Sequence, residues 1–308
     1  MYSEHPSDWF LQRLGADESY THPEFIYRTA KERGMSFVTL TDHNSIEGGL
    51  LLKEAHPEDV FLGVETTTYF PEDECKVHLL IYGLSEADFR EIQRRRHDVY
   101  DLRDYLKEAG LAYSVAHATF SVNGRLTLEH LEKLILLFDV FEGINGGRSR
   151  LHNDTWMRAL RNLTPDHIEE LYARHRLEPF SSQPWVKGLT GGSDDHAGIF
   201  IAQSFTVAEA LDVHGFLASI RNKRTLPQGR HNDYKSLAFT VYKVAYDYSK
   251  SRSHALIDSP LGEATRILFE RKPLSPEYRL KLRIAKSIRA RGEDRIGRPL
   301  IELIENLN

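Results

Sequence analysis

Cysteine is almost missing from this sequence: Cys75 stands alone among 308 residues. An intramolecular disulfide is therefore excluded, and so is a zinc site built on several thiolates. Long hydrophobic runs are missing too. The longest, Leu134 to Phe138 with its neighbours, is far short of the roughly 20 residues that cross a bilayer. Met1 to Leu14 is polar and lacks the apolar core of a signal peptide, so a cytoplasmic protein with no membrane partner is expected. There is no excess of positive charge, since the formal net charge is −5, and no alternation of aromatic and basic residues. Both absences speak against nucleic acid as a partner, because each phosphate contact needs a local cation. Gly-x-Ser-x-Gly does not occur, which removes the hydrolase elbow as a source of a nucleophile. No internal repeat or low-complexity tract is present.

What is present is a core-forming composition, 41% apolar and 28% charged, patterned as short β-branched runs that alternate with helical periodicity. This alternation predicts parallel strands covered by helices. Thr21 with Glu24 reads as a capping box for a helix reaching about Arg33, before Gly34. Strands are expected at Ser36–Leu40, Val60–Val64, Lys76–Tyr82, Ala112–Ala116, Phe138–Phe141, Gly188–Gly192 and Phe200–Val207. One long helix is expected from about Ser85 to Ala109, and others near Leu128–Leu137 and Val213–Asn222. A helix opened by Thr164-Pro165 uses proline at the first helical position, where its missing N–H costs nothing. Past Leu226-Pro227-Gln228-Gly229 the alternation stops. Residues 1–230 are read as one domain and 231–308 as a helical extension with no motif tied to chemistry.

Polar residues gather where the expected strands end: His43, Glu65, His117, Asp194 and His196, with His78 inside its strand. In parallel α/β folds that rim collects ligand-binding groups from distant parts of the chain. A single strand histidine is ordinarily a hydrogen-bonded core residue. A convergent set of imidazoles and carboxylates is what a borderline divalent ion prefers when thiolate is absent. His56, His97, His130, His152, His167, His175 and His254 fall in helical or loop patterns and are read as surface or packing residues.

Thr41-Asp42-His43, Gly63-Val64-Glu65, His78, Ala116-His117-Ala118 and Gly192-Ser193-Asp194-Asp195-His196 resemble, in order, the motifs of the PHP (polymerase and histidinol phosphatase) family of metal-dependent phosphoesterases. The resemblance covers roughly residues 2 to 207. It implies a distorted seven-stranded β/α barrel with up to three clustered divalent ions (Zn, Mn, Fe or Mg) at its rim. Carried over by position, Glu65 bridges two ions, one of them also held by His78 and His117. The other is held by Asp194 with two histidines of an N-terminal His-x-His motif, which this sequence does not show. A third ion falls to His43 and His196 with His5, Glu4 being the weaker candidate for that place. The first strand of the barrel is accordingly expected to be missing, which leaves open edges for association with another chain.

The chemistry implied is hydrolysis of a phosphate ester of a small metabolite or nucleotide by a metal-activated water, with Glu65, Asp194 and Arg148 as the catalytic set. Arg148 follows the Gly146-Gly147 pair and can clamp phosphate through its fork of donors; Lys76 and Arg125 are weaker candidates. The segments Pro71–His78 and Glu142–Gly147 look most similar to PHP domains attached to glycosyltransferase-like proteins, which adds an accessory role in carbohydrate metabolism as an expectation. Two rival readings are a non-catalytic metal-binding or interaction module and an exonuclease.

Overall fold

A computed structural model describes residues 21–234 and, beyond them, positions 236, 239, 240, 243, 244 and 247. His5, Glu4 and most of the expected helical extension lie outside the described residues.

The chain forms an α/β fold around a mixed sheet. Its elements are α1 (Pro23–Glu32), α2 (Glu47–Ala55), β1 (Gly63–Phe70), β2 (Cys75–Tyr82), α3 (Glu86–Arg95), α4 (Val99–Ala109), β3 (Ala112–Val115) and α5 (Leu128–Leu137). They continue with β4 (Val140–Asn145), α6 (Arg150–Arg161), α7 (Pro165–His175), β5 (Gly188–Gly192), β6 (Ser204–Val207), α8 (Val213–Arg221) and β7 (Leu226–Gly229). Five strands form one sheet in the order β1-β2-β3-β4-β5, and β6 pairs with β7 in a second. No closed barrel is formed among the described residues.

Several local expectations are corrected. β1 and β2 are not parallel neighbours but an antiparallel hairpin, in register from Gly63↔Tyr82 to Phe70↔Cys75. The β-branched run Thr66-Thr67-Thr68 carries β1 well past Glu65, and Pro71–Glu74 makes the turn. β2 is also antiparallel to β3, whereas β3–β4 and β4–β5 are parallel. Ser36–Leu40 is not a strand; the chain around it forms only isolated parallel bridges with β1 and the residues before it, Val38↔Val60 and His43↔Glu65. The first helix is capped by His22, whose Nδ1 accepts the Glu24 N–H at 3.3 Å, because Pro23 takes the first helical position. The long helix expected over 85–109 is two helices. Ser85 and Asp88 form the capping box of α3, and Asp98 interrupts the run by accepting the N–H groups of Tyr100 and Asp101 to start α4. β4 begins later than expected, since Phe138 is still the C-cap of α5. Leu226–Gly229, after which the alternation stops in the sequence, is the strand β7.

The main core lies between the sheet and helices α3 to α6, where Phe70, Leu79, Ile81, Leu102, Leu106, Phe138 and Phe141 are fully buried. Along β2 the side chains alternate. Val77, Leu79 and Ile81 join this core, while His78 and Leu80 face the other way, toward the site.

Candidate metal centre

The β1–β2 hairpin places the first pair. Glu65 sits opposite Leu80, and His78 opposite Thr67, so Glu65 and His78 are diagonal neighbours on one face. Their side chains meet, with His78 Nδ1 2.7 Å from Glu65 Oε1. Glu65 is therefore near the start of its strand rather than at its carboxyl end. His117 lies two residues beyond β3, in a turn with φ +28°, and brings Nε2 to 3.2 Å from the same Glu65 oxygen. The His43↔Glu65 bridge fixes the fourth group, with His43 Nε2 3.9 Å from Glu65 Oε2. Asp194 and His196 follow β5. Asp194 takes a left-handed backbone (φ +46°), and its Oδ1 is 3.6 Å from His196 Nδ1. The imidazoles form a row, with centroid separations of 6.0 Å (His196–His43), 4.9 Å (His43–His78) and 5.2 Å (His78–His117).

Burial gives this set its electrostatic character. His43, Glu65, His78 and His117 are all buried. Burial pushes the Glu65 carboxyl up, but the imidazoles of His43, His117 and His78 outweigh it and hold the group well below the usual carboxylate range. Asp194 is also held low against its burial, chiefly by His196. His78 Nε2 is buried without a hydrogen-bond partner among the described residues. An imidazole nitrogen left bare in the interior is costly unless something outside the hydrogen-bond inventory satisfies it. Ligand atoms of His43, Glu65 and His78 all lie within 4.8 Å of one another, a donor set suited to a divalent ion. The resemblance assigns His78 and His117 to one ion with Glu65, and His43 to another. His43 takes the place of His117 in this grouping, and His117 stands beside it through Glu65.

Arg148 also reaches the site. Its guanidinium carbon lies 3.6 Å from the centre of the Phe120 ring, and Nη2 is 3.9 Å from Asp194 Oδ2. Arg148, Phe120, Gly146, Gly147, Asn232 and the histidines line a cavity of about 170 Å³. A larger one, about 270 Å³, runs from Glu65, His117 and Asp194 down past Tyr82, Phe205 and Phe216. Lys76 and Arg125 stay away from the site: Lys76 lies over Tyr69, and Arg125 binds the turn at Asp73 and Glu74.

Glu142 was missed in the sequence. It is buried, and burial, reinforced by Asp194 and Glu65, pushes its carboxyl up to about 8 against the hydrogen bonds from Asn145 and the His117 N–H. Asp195, next to Asp194 in the chain, is pushed up as well, mainly by burial, although it accepts the N–H groups of Ala197 and Phe200 and so shapes the loop that carries His196.

Fold and site together define an α/β protein with a buried His/Glu group able to hold a metal ion. No family model matches the chain, and no curated protein matches it. Among solved structures, a presumed metal-dependent phosphoesterase from Bifidobacterium adolescentis is similar, with a TM-score of 0.36 and 16% identity, over 71% of this chain and 94% of that one. No described helix is long and apolar enough to cross a membrane.

Proposed function

We propose that this protein is a metal-dependent phosphoesterase acting on a small phosphorylated metabolite or nucleotide. The observation that carries the reading is the buried group of His43, Glu65 and His78, with His78 Nε2 bare and His117 in contact with Glu65. Glu65, His78, His43 and His117 are the residues that would hold the ion, with Asp194 and His196 on the adjoining side. A divalent ion held there supplies a water acidified toward neutral pH and positive charge opposite the phosphoryl oxygens. The chain's own residues supply position and charge. Arg148, flattened on Phe120, presents a planar fork of donors at the cavity mouth and is suited to grip and orient a phosphate. Asp194 sits within reach of Arg148 and keeps its guanidinium turned toward the site. Burial of the His/Glu group keeps bulk water from competing for the same oxygens.

The test is elemental analysis of the purified wild type, His78→Ala, His117→Ala and His97→Ala, the last being a surface control, followed by assays of phosphomonoesters and phosphodiesters with Mn²⁺, Zn²⁺ and Mg²⁺. Wild type and His97→Ala should carry metal that the other two lose, and hydrolysis should vanish in Glu65→Ala and Asp194→Ala. Equal metal content in all four proteins overturns the metal site. Metal without hydrolysis of any ester overturns the enzyme reading and favours a non-catalytic metal-binding module.

A further inference from the structure

Glu142 and Asn145 are three residues apart on β4, a spacing that puts side chains on opposite faces of a regular strand. Here they share a face. The pairing with β5 runs Glu142↔Thr190, then Ile144↔Gly191 and Asn145↔Gly192, so Gly143 is an extra residue and the strand is bulged between them. A bulge of this kind re-aims the side chains that follow it. As a result Asn145 Nδ2 donates to Glu142 Oε2 at 2.8 Å, inside the protein. The same oxygen accepts the backbone N–H of His117, also at 2.8 Å.

That second contact matters because of where His117 stands. The β-ladder ends one residue earlier, where the Ala116 N–H donates to His78 O at 3.0 Å. His117 then adopts φ +28°, a left-handed conformation that a residue with a Cβ resists. Glu142 provides the acceptor that the sheet no longer does, and the turn it fixes is the one that delivers the imidazole to Glu65. Asn145 is itself immobilised: its N–H donates to Asn153 Oδ1 at 3.3 Å, and its O accepts from Asn153 Nδ2 at 3.0 Å. Asn145 Oδ1 accepts the Gly147 N–H at 2.8 Å, which joins the arrangement to the loop before Arg148. Gly192 completes the fit, since a Cβ there would stand 2.8 Å from Glu142 Oε1.

We infer that Glu142 is a positioning residue, acting through its Oε2 on the backbone of His117, aimed by Asn145, to hold that imidazole against Glu65. The inference rests on the metal-site reading above. Such supporting contacts are typically worth about 10–100-fold in metal affinity.

The experiment titrates the full chain with Co²⁺ alone against a chelator and records the Co²⁺ d–d spectrum, with thermal unfolding as the check on folding. Glu142→Leu should weaken Co²⁺ binding by about 10–100-fold and alter the spectrum. Glu142→Gln keeps an acceptor oxygen and should restore both. A folded Glu142→Leu protein with wild-type affinity and spectrum overturns the inference. So does a Glu142→Gln protein as impaired as Glu142→Leu, because an acceptor oxygen at that place would then not be what holds the turn. If Glu142→Leu does not fold, Asn145→Ala decides: weakened binding supports the arrangement, and unchanged binding overturns it. A wild type that takes up no Co²⁺ overturns the metal reading itself, a result distinct from any difference between variants.

Discussion

His78 Nδ1 and Glu65 Oε1 stand 2.7 Å apart with both side chains buried, one carboxylate answering to several imidazoles. In metal-free protein, His78→Leu removes a partner and leaves the carboxylate in the interior. It should cost roughly 2–4 kcal/mol of unfolding free energy, since breaking a buried pair is dearer than never having made it. His78→Leu combined with Glu65→Leu should be less damaging than the sum of the two single changes. Urea denaturation of the four proteins in the presence of chelator measures this, and strict additivity would show that the pair is not coupled.

Arg148 is held by a ring face on one side and a carboxylate on the other, so shape as well as charge sets its position. Arg148→Ala should raise KM, and Arg148→Lys should recover little of the loss, because an ammonium neither stacks on Phe120 nor offers a planar fork. A loss near 1.5–3 kcal/mol in kcat/KM is expected for a charge-assisted contact. Steady-state kinetics on any ester the protein hydrolyses gives the numbers.

At the opposite ends of β4 and β5, Lys187 is buried, with its ammonium donating to Ile135 O, Phe138 O and Asp139 Oδ1 at 2.6, 2.7 and 3.3 Å. Burial pushes its pKa down to about 8, against the pull of Asp139. A cation depressed in the folded state destabilises the fold most at low pH, where both states are charged. Between pH 8 and about 10.4 the unfolded chain binds the extra proton, so stability rises with pH. Compared with Lys187→Met, the wild type should gain about 1.6 kcal/mol from pH 8 to 9.5. Urea midpoints at the two pH values test the direction, and a relative loss would contradict it.

Gly63 opens β1, and a Cβ there would stand 2.5 Å from Thr39 Oγ1 and 2.9 Å from Leu40 O. The backbone oxygen cannot swing away as a side chain can. Gly63→Ala should therefore displace the stretch that leads to His43 and weaken metal binding while leaving the hairpin intact. Metal titration with far-UV circular dichroism separates the two effects; unchanged affinity would show that the stretch is not held in place by this contact.

The candidate ligands were legible in the sequence because polar groups interrupt otherwise apolar runs, and the structure brings His43, Glu65, His78 and His117 within reach of one another. Their geometry was less so. Parallel strands were expected at Glu65 and His78 because helical and β-branched segments alternate elsewhere. The turn residues Pro71–Glu74 between them signal a hairpin instead. Asp98 lies in a charged stretch, where nothing in the sequence separates an aspartate that accepts the Tyr100 and Asp101 N–H groups from one that faces water. Glu142 and Asn145 could not be found locally at all. Their shared face depends on a register shift against β5, where Glu142 pairs with Thr190 and Asn145 with Gly192, and Gly143 is the only trace of it in β4 itself.

The hairpin also bears on the order in which the site comes into being. Glu65 and His78 belong to strands joined by a four-residue turn, so closing that loop costs little chain entropy and needs nothing downstream of Tyr82. Asp194 and His196 arrive from more than a hundred residues later, and contacts at such separations are the slow ones. On a ribosome, the carboxylate and its first imidazole can meet while most of the sheet is still unmade.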